Sequence, residues 1–254
     1  MPAILSRPAV IRDTALRVST VMNESVMNEV APGYLRQRAA FTKGHVYENC
    51  LALAWIATHP RELARHPEWL RQRTAATIAL RAPWWPYDAV AWVAANLPPE
   101  PRVFEYGSGG STLWLEDLGA DITSVEDDAQ WHKQSAAALR PGTRLLFQPP
   151  QRSGVASDFF GPGFFDAYVA AIDGEQDGSL DLVIIDGRAR IECVHHAMTK
   201  VKPDGLLLFD DTDFAQFRAV VAILQAWERH VFVGLKPGQR APAQTSVWRR
   251  PANG

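Results

Sequence analysis

Several groups of residues in this 254-residue chain have types and spacing suited to chemistry. The first is Glu105-Tyr106-Gly107-Ser108-Gly109-Gly110-Ser111, an acid placed just ahead of a run of glycine and serine. Gly107 and Gly109 can take backbone angles closed to other residues and let a ligand approach the main chain. The second is Glu126-Asp127-Asp128, about 20 residues further on, where a carboxylate can accept the hydroxyls of a ribose. The others are Asp186 and the pair Asp210-Asp211. Carboxylates brought together repel unless a positive charge lies between them, and Mg²⁺ is commonly held by carboxylate oxygen and water. Each group also has a plainer explanation. Asp127 or Asp128 suits a helix N-cap, Asp210 and Asp211 suit caps for a helix beginning near Phe214, and Asp186 with Gly187 suits a turn.

These residues gain meaning from the elements that must carry them. From Pro101 onward, short apolar runs alternate with helical segments. RVFEY, DITSVE, TRLLFQ, LDLVIID, GLLLFDD, HVFVGL and AQTSVWRR read as strands. STLWLEDLG, AQWHKQSAAAL, FFDAYVAAI, IECVHHAMTKV and FAQFRAVVAILQAWER read as helices, the last a long one. Continuous apolar strands separated by helices predict a Rossmann-like α/β fold with a seven-stranded, mostly parallel sheet. The last two strands lie too close for a helical crossover, so the seventh enters antiparallel. Ligands of such sheets bind beyond the carboxyl ends of the strands, which is where Glu105 and its loop, Glu126, Asp186 and Asp210-Asp211 fall. Residues 1–82 show helical periodicity broken by Pro60 and Pro67, and read as an N-terminal helical extension ahead of a domain spanning 83–254. Within it, the opening 20 or so residues read as an arm, and the tandem VMNE (Val21–Glu29) is too short to signal a repeat architecture.

The loop and Glu126 together fit either a dinucleotide or a methyl donor. The spacing E-x-G-x-G-x-S, without a third glycine in the dinucleotide register, and the closing antiparallel strand favour the methyl donor. The chain from about Pro83 to Arg250 resembles the class I S-adenosylmethionine-dependent methyltransferases. That resemblance implies a cofactor site in which Glu105 lies near the donor's amino and carboxylate end. Gly107, Ser108, Gly109 and Ser111 would shape the pocket, and Glu126 with Asp127 would hold the ribose. Asp186, Asp210 and Asp211 also resemble the metal triad of catechol-type and macrolide-sugar O-methyltransferases, which implies Mg²⁺ that lowers the pKa of an acceptor hydroxyl. One departure stands out. The catechol-type enzymes carry a lysine base three residues after the strand-four aspartate, and this chain has Ala189. Arg188 and Arg190 stay protonated. Asp186 is therefore the first choice for the catalytic base; His132 and His45 stay open, whereas His195 and His196 suit structural roles.

Two regions are candidates for selecting the acceptor. One is the stretch Pro83-Trp84-Trp85-Pro86-Tyr87, where aromatic faces could stack on a ring or a sugar, although tryptophans more often serve packing. The other is the loop from Pro149 to Gly163, expected to be a lid. Arg188, with Arg152 and Arg190, suits recognition of an anionic or polyhydroxylated acceptor; the alternative is that Arg188 and Arg190 pair with Glu192, Asp213 or the aspartate triad. A net charge of −2 offers no case for nucleic acid or a membrane surface. Cys50 and Cys193 form no disulfide or thiolate pattern, and no apolar run approaches the roughly 18 residues of a membrane span. The N-terminus lacks a secretory pattern, so a cytoplasmic setting is expected. The expected activity is O-methylation of a small molecule, with a sugar or glycan hydroxyl as first choice. The alternatives are a metal-independent N- or O-methyltransferase, a non-catalytic protein that kept the fold, and a nicotinamide dehydrogenase. The N-terminal helices would cover the site, form a homodimer, or both.

Overall fold

The central apolar strands, VFEY, LDLVII and GLLLFD, are buried on both faces, as their lack of alternation predicts, whereas RLLF and HVFVG at the sheet's edges are partly exposed. The structure is a computed structural model that describes residues 44–157 and 163–252. The expected N-terminal arm, the tandem VMNE and part of the expected lid lie outside the described residues, as does the side chain of His45. The N-terminal portion forms helices α1 (Gly44–Thr58), α2 (Pro60–Arg65), α3 (Trp69–Gln72), α4 (Thr77–Leu80) and α5 (Tyr87–Asn96). Strand β1 (Arg102–Tyr106), helix α6 (Gly110–Asp117), β2 (Asp121–Glu126), α7 (Ala129–Ala138) and β3 (Arg144–Phe147) follow. Next come β4 (Gln151–Ala156), α8 (Asp166–Val169), β5 (Leu180–Ile185), α9 (Arg190–Ala197) and β6 (Val201–Asp210). Helix α10 (Arg218–Ile223), β7 (Glu228–Gly234) and β8 (Ala243–Arg249) complete the chain.

The seven-stranded sheet has the order β3-β2-β1-β5-β6-β8-β7. Its first five strands are parallel, and β8 runs antiparallel to both β6 and β7, as expected for a Rossmann-like sheet with an antiparallel last strand. Residue parity splits the core. Val103, Leu182, Ile184, Leu206, Leu208 and Val247 pack with Trp85, Ala89 and Val93 around α5 and Leu115 of α6. Phe104, Tyr106, Val183, Ile185, Leu207, Phe209 and Trp248 pack with Tyr168, Cys193, Val194, Phe217 and Val220 on the opposite face. A third cluster of Ala52, Trp69 and Leu235 ties α1 and α3 to the end of β7.

Two expectations are corrected. The long helix expected over residues 214–229 is instead a 3₁₀ turn at Ala215–Phe217, the short α10, and the first residues of β7. Pairing of β7 along the whole of β8, from Glu228 with Arg249 to Gly234 with Ala243, takes the last residues of this segment into the sheet. The expected lid carries strand β4, which bridges back to Phe164, while the Asp166 carboxylate accepts from Val155 N at 2.9 Å. None of its described residues borders the cavity at the sheet's carboxyl edge. No helix among the described residues is long and apolar enough to cross a membrane.

Candidate active site

Strand register brings the chemical residues into one row. Tyr106 pairs with Val125 and with Ile185, and Ile185 pairs with Phe209. The next residue of each strand therefore places Gly107, Glu126, Asp186 and Asp210 side by side along the carboxyl edge. Strand order reverses between β1 and β5, so the crevice opens between Gly107 and Asp186. A cavity of about 700 Å³ lies there. The glycine-rich loop, Glu126, Asp127 and Trp131 line one side, and Asp186, Asp211, Trp84, Lys236, Gln239 and Arg240 line the other.

The loop is shaped by its glycines and anchored from beneath. Gly107 has φ of 94°, and a Cβ there would meet the Asp186 carbonyl oxygen at 3.2 Å. Gly110 opens α6 so close to α4 that a Cβ would lie 2.1 Å from the Ala82 carbonyl oxygen. Glu105, expected beside the donor, is fully buried below the loop and does not line the cavity. Its carboxylate accepts from Thr112 Oγ1 at 2.6 Å, from Ser124 Oγ at 2.7 Å and from Ser111 Oγ. Three hydroxyls take up the oxygens, so Glu105 positions the loop. Burial raises this carboxyl to about 7, against the three hydrogen bonds. Ser111 lines the cavity but turns its hydroxyl inward to Glu105.

Glu126 does border the cavity, and burial raises its pKa. Its Oε1 accepts from Asp127 N at 2.9 Å and Asp128 N at 3.0 Å, and its Oε2 accepts from Ser108 N at 3.1 Å. The Ser108 hydroxyl stands 3.0 Å from Oε2 and 3.1 Å from Ser135 Oγ, so it has an alternative acceptor when a ligand claims Glu126. Asp128 caps α7 by accepting from Trp131 N at 2.7 Å. Trp131 Nε1 donates to Ser108 O at 2.5 Å, which lays the indole as a flat wall against Gly109. Sequence reasoning missed Trp131, although its place in the first turn after the strand-two acid was a usable signal.

The three aspartates meet as expected. One carboxylate oxygen from each of Asp186, Asp210 and Asp211 lies within 4.8 Å of the others. Burial first, and then Asp210, raises the Asp186 pKa; burial, and then Asp211, raises that of Asp210. Two basic side chains are built into the same cluster. Arg190 donates to Asp186 Oδ1 at 3.0 Å and lies 3.7 Å from Asp211 Oδ2. Lys236 donates to Asp210 Oδ2 at 3.3 Å and lies 4.0 Å from Asp211 Oδ1, and Thr245 holds the other Asp210 oxygen. The three carboxylates expected to hold Mg²⁺ thus also face two fixed cations, which lessens the repulsion among them. Lys236 was not foreseen, because a lysine in a Lys-Pro-Gly turn reads as a solvated loop residue.

The expected acceptor residues divide. Trp84 lines the cavity and is 47% exposed, with its ring 4.6 Å from the Lys236 ammonium. Trp85 is fully buried in the core, edge-on to Trp114. Tyr87 stacks on His66 and donates to Gln72 Oε1 at 2.7 Å, away from the cavity. Arg188 lines the cavity with its guanidinium paired to Asp127 at 3.2 Å, an acid outside the expected set, whereas Arg190 pairs with Asp186 and Asp211 of the triad. Arg152 is exposed on β4 and does not reach the cavity. His132 packs on Phe147 and does not line the cavity, so it is no base for this site.

No protein-family model and no curated protein sequence matches the chain. The chain is similar to several solved structures. A protein from Corynebacterium glutamicum is 13% identical, with 87% of this chain and 97% of that one covered at a TM-score of 0.45. A candidate O-methyltransferase from Klebsiella pneumoniae is 13% identical, covering 94% of each chain at a TM-score of 0.44. A protein from Methanosarcina mazei is 12% identical, covering 63% of this chain and 97% of that one at a TM-score of 0.40. That protein is a SAM-dependent methyltransferase. At these scores the likeness carries no functional argument, which rests on this chain's own strand ends.

Proposed function

We propose that this protein is an S-adenosylmethionine-dependent methyltransferase acting on a hydroxyl of a small molecule. The observation that carries the reading is the row of Gly107, Glu126 and Asp186 at the reversal of strand order, opening on a cavity of about 700 Å³. Gly107 and Ser108 admit the donor to the backbone, Glu126 accepts its ribose hydroxyls, and Trp131 supplies a flat wall. Bound S-adenosylmethionine supplies an electrophilic methyl group on a sulfonium. The acceptor enters on the side of Trp84, Gln239 and Arg240, a polar lining with one exposed indole that suits a sugar hydroxyl. Asp186 takes the hydroxyl proton as the carbon–oxygen bond forms, the carbon–sulfur bond breaks, and its electron pair stays on sulfur. Burial makes Asp186 a stronger proton acceptor than an exposed carboxylate.

Calorimetry with S-adenosylhomocysteine tests the donor half. Binding is expected, weakened about tenfold or more by Glu126→Ala, which removes charge-assisted hydrogen bonds to the ribose. Binding of NAD in place of the homocysteine product would overturn the reading. Transfer of labelled methyl to a panel of sugars and other hydroxylated compounds tests the acceptor half, and transfer only to amines would overturn it.

A further inference from the structure

Lys236 is a buried lysine that the donor site does not explain. Its side chain is 2% exposed, although it lies in the turn between β7 and β8. An ammonium taken out of water is costly unless opposite charge meets it. Here Asp210 Oδ2 stands at 3.3 Å, Asp211 Oδ1 at 4.0 Å, and the face of Trp84 at 4.6 Å. Arg190 performs the complementary task from the other side, holding Asp186 Oδ1 at 3.0 Å and the Asp210 carbonyl at 2.8 Å. Both basic residues border the cavity beside Asp186.

We infer that Lys236, with Arg190, is the built-in cation of this site, taking the place that a divalent ion would need among Asp186, Asp210 and Asp211. The chemical part of this inference rests on the methyltransferase reading. There, the fixed ammonium attracts the acceptor oxygen and stabilises the negative charge that grows on it as its proton passes to Asp186. The exclusion of metal rests on the cluster alone. A unit positive charge about 4 Å from the carboxylates opposes a second cation strongly at any dielectric below that of water.

Mn²⁺ titration followed by electron paramagnetic resonance tests this on the full-length protein. Wild type is expected to leave free Mn²⁺ undepleted in the millimolar range, whereas Lys236→Met, which keeps the stem and removes the charge, gains a site about a hundredfold or more tighter. Lys236→Arg, which keeps the charge, is expected to behave as wild type. Stoichiometric uptake by wild type would overturn the inference and restore the metal triad. Equal failure of wild type and a folded Lys236→Met to bind would overturn it too, since Lys236 would not be what excludes the ion. Lys236→Gln provides a second neutral variant, and uptake by wild type overturns the inference whichever variant folds. S-adenosylhomocysteine binding by the same samples separates a failed donor assignment from a failed assignment of Lys236.

Discussion

Glu105 shows how burial decides the role of a single acid. A carboxylate beneath a glycine-rich loop could face a ligand, yet this one faces Ser111, Thr112 and Ser124. Because its pKa in the fold is about 7, above its ordinary 4.5, the folded state holds the proton more tightly than the unfolded chain. Its contribution to stability is complete below the ordinary carboxyl value and is lost as pH rises through about 7. Unfolding in urea at about pH 5.5 and about pH 8 should show wild type more stable at the lower pH, with about 2 kcal/mol of the difference due to this residue. Glu105→Gln removes that share, and an unchanged pH profile in the variant would argue against the burial account. Glu126, by contrast, keeps an edge on the cavity, so its loss should reach ligand affinity before stability.

At the scale of elements, the loop depends on how α4 and α6 meet. Arg81, in a left-handed conformation (φ 47°), ends α4 and grips α6 through Asp117 at 2.8 Å and Leu113 O at 3.1 Å. That grip brings Ala82 and Thr77 onto the first residue of α6, where only glycine fits. Gly110→Ala should therefore cost about 3 kcal/mol and lower the melting temperature, because backbone rather than a yielding side chain stands in the way. Gly119→Ala is the control. Open space surrounds it, and only its φ of 81° resists, so about 1 kcal/mol is expected. A similar cost for both would show that the packing of α4 on α6 is loose.

For the whole molecule, the N-terminal helices support the site from outside the sheet. Trp69 is buried against Ala52 and Leu235, and its Nε1 donates to Gln239 O at 3.0 Å. Gly238 N donates to Gln72 O at 3.0 Å, Tyr87 N donates to Leu235 O at 3.1 Å, and the Glu62 carboxylate accepts from Leu235 N. These bonds fasten the turn that delivers Lys236, Gln239 and Arg240 to the cavity. Trp69→Ala should cost about 3–5 kcal/mol and speed amide exchange over residues 235–240, while β1 and β5 stay protected. Exchange spread evenly over the sheet would mean that the helices and the sheet unfold as one unit.

The sheet was legible in the sequence because its signal is local. Apolar runs such as LDLVIID and GLLLFDD are strands buried on both faces, and a chain of β-α-β steps leaves little choice of order. The strand-end positions of Gly107, Glu126, Asp186 and Asp210 follow from the same runs. Where local preference and sheet pairing competed, as at Glu228 and Arg229, pairing won, and the expected long helix stops at Ile223. What only the tertiary structure decided is which charges share a desolvated space. Neither Trp85 inside the core nor Trp84 at the cavity could be told from its neighbour by residue type. Lys236 and Arg190 reach the aspartates from separate elements, and Arg188 reaches Asp127 across 61 residues of sequence. The energy of a buried charge depends on every group around it after packing, and no spacing along the chain records that.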